Sequence, residues 1–332
     1  MRPFNYRQLE NAETFVADMP PTTVSYLAGG TTLLDLMKLD VMRPQQVVDI
    51  NPLSRSPGFG GIVLDERGAR LGALVRMGEA ADHTELRKTY PVIVQSLELA
   101  ASQQLRNMAT LGGNVLQRTR CPYFRDTSWN ACNKRHPGSG CAAMQGFNRM
   151  HAVLGDSSAC IATYPGDFAQ ALLALDARVE VVGARGPGLV AFADLHRRPG
   201  ETPHVETILG DGDLIRAFHV ASGPWTRRSA YVKIRDRESY EFALASAAVA
   251  LHLEGDIVKD VRIALGGVAT VPWRAREAEA ELAGKSLTEH SAKAAAEAAF
   301  IDAHPRKHNA YKVSLGKATV VRALLQAKAM EL

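Results

Sequence analysis

The sequence predicts an α+β fold with a separate C-terminal domain, in which an antiparallel sheet is followed by helices. In the last third of the chain, strand patterns come first and helical patterns follow, as expected when the two kinds of element are segregated. In the first two thirds, short strands alternate with helices around two glycine-rich loops. With 332 residues, 46% of them hydrophobic, the chain can bury more than one core.

The first glycine loop follows a predicted strand and precedes a predicted helix. Residues 25–28 are mostly apolar, Gly29 and Gly30 predict a turn, and residues 33–38 have apolar side chains at helical spacing. Glycine lets a chain approach a ligand, and N–H groups at a helix start can bind an anion. The loop matches neither G-x-x-x-x-G-K-[ST] nor G-x-G-x-x-G, which disfavours a P-loop and a plain Rossmann site. The alternative interpretation is an ordinary turn.

A second glycine loop, residues 110–114, offers the same chemistry, and two such loops could enclose a pyrophosphate. A segment rich in proline, glycine and serine, residues 52–61, indicates a subdomain boundary. The other elements predicted for this part are strands at 47–50, 69–74 and 178–182 and helices at 79–101 and 166–175.

The C-terminal third begins near Trp225 and has the patterns of one antiparallel sheet. An alanine-rich run at 243–253 is ambiguous, because it could equally form a helix. After Pro272 the pattern becomes helical. The predicted strands are 231–234, 243–253 and 257–268, with a turn at 254–256, and the predicted helices are 274–283, 289–300 and 307–330.

All four cysteines lie in one segment between the second glycine loop and the helix at 166–175. They are Cys121, Cys132, Cys141 and Cys160. Disulfide frameworks are typical of small domains without a core, and zinc modules usually place their ligands in close pairs such as C-x2-C. Wide, irregular gaps suit thiolates that converge on an iron–sulfur cluster. Spacing favours such a cluster but leaves zinc and free or disulfide-bonded cysteines open.

Composition excludes several classes of protein. The net charge is only +4, and no basic run is interleaved with aromatic residues, which argues against a nucleic-acid partner. The first fifteen residues contain no apolar h-region, and no stretch approaches eighteen uninterrupted apolar residues. We therefore expect neither a membrane span nor an export signal in this chain.

Four motifs occur in the order found in one family. They are A-G-G-T-T-L-L-D-L-M-K at 28–38, A-T-L-G-G-N at 109–114, G-D-F-A-Q-A-L-L-A-L-D-A at 166–177, and I-A-L-G-G-V-A at 263–269 followed by Pro272-Trp273-Arg274. The chain thus resembles the FAD-binding medium subunits of the molybdenum hydroxylases, which include xanthine dehydrogenase, carbon monoxide dehydrogenase and aldehyde oxidoreductases.

The resemblance implies a two-subdomain FAD-binding domain of the vanillyl-alcohol-oxidase/PCMH type. A C-terminal domain of the CO dehydrogenase flavoprotein type would follow it. The implied limits are residues 1–57 and 58–224 for the two FAD-binding subdomains and 225–332 for the C-terminal domain.

The resemblance also implies the FAD-binding residues. The first loop, with the hydroxyls of Thr31 and Thr32, would bind the pyrophosphate, and the second loop would lie opposite. Asp167 would hydrogen-bond the ribityl or adenosine part, the alternative being an aspartate that only begins a helix. Lys233 would lie near the pyrimidine end of the flavin and stabilise its reduced anion, the alternative being a solvated charge. The implied set is Leu27, Ala28, Gly29, Gly30, Thr31, Thr32, Leu33, Leu34, Ala109, Thr110, Gly113, Asn114, Asp167 and Lys233.

Most relatives lack residues 117–160, which the resemblance marks as an insertion. The sequence motifs Q-R-T-R-C-P-Y-F-R-D and C-N-K-R-H-P-G-S-G-C resemble those of the aldehyde-oxidising branch, whose flavin subunit carries a [4Fe–4S] cluster in this segment. The implied cluster ligands are Cys121, Cys132, Cys141 and Cys160.

The implied function is electron transfer within a heterotrimer. A large subunit with a molybdenum cofactor would oxidise an aldehyde, the [2Fe–2S] centres of a small subunit would pass electrons on, and FAD in this chain would deliver them to an external acceptor. No catalytic residue is predicted here, because no histidine cluster or Ser/His/Asp set is evident. The alternatives are a flavin subunit of a xanthine or N-heterocycle dehydrogenase, a mainly structural cluster, and a zinc-stabilised flavoprotein oxidase that acts alone.

Residues 237–242, R-E-S-Y-E-F, depart from the NAD-using relatives, which have paired acidic residues there. Tyr240 is predicted to stack near the flavin or to restrict access to it, so NAD is not expected as the acceptor. The resemblance to a complex that is exported folded, through a partner's twin-arginine signal, predicts a periplasmic location by co-export. The cytoplasm is the alternative.

Overall fold

The computed structural model describes residues 1–11, 24–183 and 186–331. Its strands form three separate sheets. The strands are β1 (Asn5–Gln8), β2 (Val24–Leu27), β3 (Gln46–Asp49), β4 (Ile62–Asp65), β5 (Gly68–Gly72), β6 (Arg178–Val182), β7 (Gly188–Ala191), β8 (Leu214–Ala221), β9 (Ser229–Ile234), β10 (Ala245–Glu254), β11 (Ile257–Gly266) and β12 (Trp273–Arg274). The helices are α1 (Leu33–Lys38), α2 (Met77–Asp82), α3 (Thr84–Thr89), α4 (Pro91–Glu98), α5 (Gln103–Arg106), α6 (Leu111–Val115), α7 (Pro122–Arg125), α8 (Phe168–Ala174), α9 (Phe192–Leu195), α10 (Arg276–Leu282), α11 (Glu289–Ala299) and α12 (Tyr311–Lys328).

The first sheet has three parallel strands in the order β1-β3-β2. Its central strand is buried on both faces, because Val47 packs with Leu33 of α1 whereas Val48 packs with Leu53 and Phe59. The first glycine loop connects the end of β2 to α1, at the carboxyl edge of this sheet. Open parallel sheets commonly bind ligands at that edge.

The second sheet is antiparallel, in the order β4-β5-β8-β6-β7. Leu71 and Phe218 lie on its inner face and share a core with Ile93 of α4 and Phe168 of α8. The same core includes Ala248 of β10, so it continues into the third sheet. Helices α4 and α8 therefore join the two sheets through apolar contacts.

The helical patterns predicted at 79–101 form three short helices, α2, α3 and α4. His83 has extended backbone angles, φ −73° and ψ 110°, and its ring nitrogen accepts the N–H of Leu86 at the start of α3. Pro91 then begins α4, where its missing N–H is tolerated. Local capping and a proline thus divide the predicted stretch into α2, α3 and α4.

The third sheet is antiparallel, in the order β12-β11-β10-β9. In β10, Ala248 and Ala250 face the core with α4 and α8, whereas Val249 and Leu251 face α10, α11 and α12. Burial on both faces explains why the ambiguous alanine-rich run has no polar alternation and is nevertheless a strand. The prediction of an antiparallel sheet followed by helices is confirmed.

The segment 117–160, hereafter the insertion, contains little regular structure apart from α7 and a 3-10 turn at 142–144. Side chains bind many of its backbone groups instead. Arg135 donates to the carbonyls of Tyr123 and Phe124 at 2.9 and 2.8 Å, and Asn133 donates to the Ala159 carbonyl at 2.9 Å. These bonds order a segment whose backbone would otherwise lack partners.

The strands of the three sheets fall within residues 5–49, 62–221 and 229–274. The predicted domain limits stay predictions, because strand membership does not define where a domain ends. In the part of the chain that the structure describes, no helix has the length and apolar character needed to cross a membrane.

Candidate functional site

The two glycine loops contact each other directly. A Cβ atom on Gly29 would lie 2.1 Å from the carbonyl oxygen of Met108 and 2.9 Å from the Cα atom of Ala109. A residue with a side chain would not fit without movement of the backbone. Glycine at position 29 is therefore needed for the loops to meet, a constraint that an isolated turn would not impose.

The second loop is more regular than predicted, because its glycines belong to the short helix α6. Thr110 is the N-cap of α6, and its hydroxyl accepts the N–H of Gly113 at 3.2 Å. Gly112 packs on Ala73, whose Cβ would lie 3.0 Å from a Cβ at position 112. The N–H groups that begin α6 are thereby held beside the first loop.

Two clefts meet where the loops meet, and Thr31, Thr32 and Gly113 line both. The first cleft lies against the first sheet, and the second opens toward α5 and the insertion. An extended ligand can therefore pass from one cleft to the other at the loops. Of the predicted residues, Ala28, Gly29, Gly30, Leu33 and Thr110 also line the first cleft, and Ala109, Asn114 and Asp167 also line the second.

The polar groups of the clefts fit a ligand with phosphates and hydroxyls. Thr32 is the N-cap of α1, yet its hydroxyl makes no capping hydrogen bond. The buried Oδ1 atom of Asn114 has no hydrogen-bond partner among the described residues, although buried polar atoms are usually paired. N–H donors at two helix starts and an unpaired acceptor between them match what FAD, with its pyrophosphate and hydroxyls, would require.

Asp167 and Lys233, predicted to touch different parts of FAD, bind each other. The Nζ atom of Lys233 lies 2.8 Å from Oδ2 of Asp167, and the hydroxyl of Tyr231 donates to Oδ1 at 2.6 Å. The lysine side chain is 1% exposed and also donates to the Leu99 carbonyl at 3.0 Å, which excludes a solvated charge. Asp167 makes no capping hydrogen bond to α8, so it is not merely a helix-starting residue.

This buried pair contributes little net charge to the second cleft. Asp167 lines the cleft, whereas Lys233 lies behind it and lines neither cleft. Burial, and then the neighbouring Asp167 carboxylate, raise the pKa of Tyr231 well above its usual value, so the phenol stays protonated and donates. The carboxylate is thus held in one orientation by two donors.

A second group of charges in the same cleft comes from the insertion and α1. Asp35 of α1 accepts from Arg120 at 3.0 Å and from Arg125 at 2.5 and 3.0 Å. Bonding to Arg125 is the main cause that lowers the pKa of Asp35. All three side chains line the second cleft, and two cations against one carboxylate leave a net positive charge there. The sequence analysis did not identify these arginines, although they flank Cys121 in the motif that marked the insertion.

Tyr240 lies at the second cleft, as predicted from its place in the sequence. It is 55% exposed, and its backbone has φ +54°, a left-handed conformation that residues other than glycine rarely adopt. The guanidinium of Arg237 lies 5.4 Å from its ring centroid. The ring is therefore placed where it can contact a cleft ligand without being locked in a core.

The four cysteines line one narrow cavity within the insertion. Cys132 and Cys141 pair across an isolated antiparallel bridge, and all four are unlinked by disulfides. The thiol of Cys160 bonds to Cys141, which lowers the pKa of Cys141 and raises that of Cys160. The structure therefore brings together all four cysteines that the sequence analysis grouped. Among the described residues, no three Cys, His, Asp or Glu side chains are arranged around a single metal ion.

Backbone N–H groups and a histidine surround these sulfurs. Burial raises the pKa of the Cys121 thiol to about 12, and the N–H groups of Tyr123 and Phe124 act against that rise. His151 Nε2 lies 3.2 Å from the Cys121 sulfur. Burial, with a smaller effect of Lys312, lowers the pKa of His151 to about 4, so its ring is neutral near pH 7. N–H groups directed at sulfur favour thiolates, which is the form that binds iron.

Comparison with known proteins identifies the family of this architecture. Residues 4–222 match the FAD binding domain in molybdopterin dehydrogenase, and residues 229–327 match the CO dehydrogenase flavoprotein C-terminal domain. The chain belongs to the FAD-binding subunits of the molybdenum hydroxylases. It is 44% identical to the aldehyde oxidoreductase FAD-binding subunit PaoB of Escherichia coli K12 over 332 residues, 99% of both chains. It is also 28% identical to the carbon monoxide dehydrogenase medium chain of Hydrogenophaga pseudoflava, covering 90% of this chain and 87% of the relative.

Solved structures of the family share the fold. Carbon monoxide dehydrogenase from Hydrogenophaga pseudoflava aligns with a TM-score of 0.75 at 24% identity, covering 99% of this chain and 98% of that one. Quinoline 2-oxidoreductase from Pseudomonas putida 86 aligns with a TM-score of 0.73 at 23% identity, covering 98% and 97%. These comparisons confirm the predicted fold class and show that the chain is an oxidoreductase subunit that binds FAD.

Besides Lys233, the predicted FAD-binding residues Leu27 and Leu34 line neither cleft. Their side chains pack on the first loop instead, where a Cβ on Gly30 would lie within 3.3 Å of both. The individual FAD contacts of the predicted set stay predictions.

Proposed function

We propose that this chain is the FAD and [4Fe–4S] subunit of a molybdenum-containing aldehyde oxidoreductase. The observation that carries the proposal is the convergence of four cysteines on one cavity beside the flavin clefts, in a chain 44% identical to an aldehyde oxidoreductase subunit. When bound, the cluster and FAD would supply the redox chemistry, passing electrons from [2Fe–2S] centres of a partner to an external acceptor. The molybdenum cofactor would reside on a large partner subunit.

The chain's own residues connect the cysteine cavity to the flavin clefts. Arg120, directly before Cys121, lines the second cleft. Leu36 of α1 packs with Phe124 and Cys132, so α1 contacts the insertion on one side while its Thr32 end lines the clefts. This packing supports an electron path between the two sites, because α1 contacts both of them.

The first experiment is metal and flavin analysis of the anaerobically purified complex. We expect four iron atoms and four acid-labile sulfides per chain beyond those of the partner [2Fe–2S] centres, with one FAD. Cys141→Ser is expected to remove the additional iron. Ala142→Ser is the matched control, since it places the same hydroxyl beside Cys141 and leaves the thiol intact. Zinc in place of iron and sulfide would contradict the proposal.

The same variant separates electron transfer from a structural role. If the cluster conducts electrons, assembled Cys141→Ser complex should reduce its flavin slowly when aldehyde is added in stopped-flow measurements. If the cluster mainly holds the complex together, assembly should fail while any assembled fraction turns over normally. Turnover of xanthine or an N-heterocycle in preference to aldehydes would favour the alternative family branch.

The proposed acceptor is not NAD. Tyr240 lies exposed at the second cleft beside Arg237, where a nicotinamide approaching the flavin would have to displace it. We expect no NADH during aldehyde turnover, whereas an artificial acceptor such as ferricyanide should sustain it. Rapid reoxidation of the reduced flavin by NAD⁺ would overturn the proposal that NAD is not the acceptor.

We further propose that the complex is periplasmic by co-export with a partner that bears a signal. Cell fractionation tests it: the chain should enter the periplasmic fraction only when that partner is co-expressed with its signal intact. Retention in the cytoplasm alongside an exported partner would contradict it.

A further inference from the structure

His151 occupies a position that neither the flavin site nor the cysteine ligands explain. It is 1% exposed, and its Nε2 atom lies 3.2 Å from the Cys121 sulfur. The residues that line the cysteine cavity include all four cysteines but not His151. The imidazole therefore contacts Cys121 without being part of the cavity's lining.

The surroundings decide which nitrogen of the neutral ring carries the proton. The Nδ1 atom is buried and has no hydrogen-bond partner among the described residues. A proton on Nδ1 would leave a buried donor unpaired and would turn the Nε2 lone pair toward the sulfur. A cluster-bound thiolate has no proton to donate to that lone pair, so the Nε2–H tautomer is favoured, because it alone can hydrogen-bond the sulfur.

The backbone around His151 is fixed by the C-terminal domain. Asn309 donates to the carbonyls of His151 and Ala152 at 3.2 and 3.0 Å. The buried Lys312 of α12 donates to the Met150 carbonyl at 3.1 Å and to the Gly267 carbonyl at 2.6 Å. A backbone held this firmly fixes the place from which the buried ring extends, which suits His151 to orient one hydrogen bond.

We propose that His151 is a positioning residue that donates its Nε2–H to the Cys121 sulfur and raises the reduction potential of the centre bound there. The inference rests on the proposed [4Fe–4S] cluster. Reduction adds one electron to the cluster, and part of the added negative charge falls on its sulfurs. A donor at Cys121 stabilises the reduced form more than the oxidised form, and such hydrogen bonds are one of the protein's means of setting cluster potentials.

The test is a redox titration of the anaerobic complex followed by low-temperature EPR. His151→Phe keeps the ring volume and removes the donor, and it should shift the equilibrium constant for reduction about tenfold, which is about 59 mV toward lower potential for a one-electron couple. His151→Gln retains an N–H donor and should recover part of the shift. His196→Phe is the matched control, because His196 also has a buried, unpartnered Nδ1 atom, but its Nε2 contacts the Val115 carbonyl rather than a cysteine.

If His151→Phe has the same midpoint reduction potential as the parent complex, the inference is wrong, although the proposed cluster is unaffected. A parent complex without additional iron and sulfide overturns the proposed function and the inference with it. If the variants fail to assemble, pulsed EPR on the parent complex labelled with ¹⁵N-histidine decides. A weak coupling between ¹⁵N and the cluster supports a hydrogen-bonded nitrogen. A strong coupling, which indicates direct ligation, or the absence of any coupling, which indicates no contact, would each overturn the inference.

Discussion

Two groups of charged residues line or support the second cleft. They differ in the ratio of positive to negative side chains and in how deeply those side chains are buried. Lys233 and Asp167 form a one-to-one pair with side chains 1% and 5% exposed. Arg120 and Arg125 share the single carboxylate of Asp35, and their side chains are 24%, 26% and 35% exposed. The buried pair has no net charge, whereas the partly exposed group leaves a positive charge at the second cleft. That positive charge comes from the insertion rather than from the predicted lysine, which lines neither cleft.

The largest expected effect comes from breaking the buried pair. Lys233→Met leaves Asp167 as an unpaired buried charge and should lower the free energy of unfolding by about 3–5 kcal/mol. Lys259→Met removes an exposed pair with Glu254 at 2.8 Å and should cost at most about 1 kcal/mol. Thermal unfolding of both variants checks the difference, and equal losses would refute the structural role of Lys233.

A smaller effect is expected from the partly exposed group, and it should fall on ligand binding rather than on the stability of the fold. Arg120→Leu removes one of the two cations that share Asp35 and should weaken FAD binding about tenfold, or about 1.4 kcal/mol. Arg87→Leu, which breaks an exposed pair with Glu98 whose two residues line neither cleft, is the control. Flavin fluorescence on release measures the affinity. Unchanged affinity in Arg120→Leu would remove the proposed difference between the two groups.

The partly exposed group should also make the stability of the fold depend on pH. The pKa of Asp35 is lowered, chiefly by its bonds to Arg125, so the carboxylate stabilises the folded state above its unfolded pKa of about 3.9. This contribution is lost as the pH falls through the lower folded value. Thermal midpoints between about pH 5 and 3 should therefore fall more for the parent protein than for Asp35→Asn. Parallel curves would show that Asp35 contributes no pH dependence.

The smallest expected effect concerns the edge of the same cleft. Tyr240 has φ +54°, which is unfavourable for any side chain. Tyr240→Gly should therefore be more stable than Tyr240→Ala by about 1 kcal/mol, a difference of a few degrees in the thermal midpoint. Identical midpoints would indicate that the backbone at 240 is not held in the left-handed region.

Much of the fold was predictable because its signals are local. The strand at 178–182 and the helix at 33–38 have the predicted bounds, since apolar spacing and glycine turns act over a few residues. The positions at which the helices within 79–101 begin and end depend on contacts such as the capping of α3 by His83, which composition does not reveal. The ambiguity at 243–253 was resolved only by packing on both faces of the third sheet.

The sequence by itself determined the grouping of the cysteines, the two glycine loops and the family that they indicate. Only the tertiary structure decided which charges pair. Lys233 lies 66 residues from Asp167 in the sequence, and Arg120 lies 85 residues from Asp35. Pairing over such separations depends on how sheets and helices pack, because each side chain carries the same charge whether it meets a carboxylate, a flavin or water. For that reason the sequence could name charged candidates but not their partners.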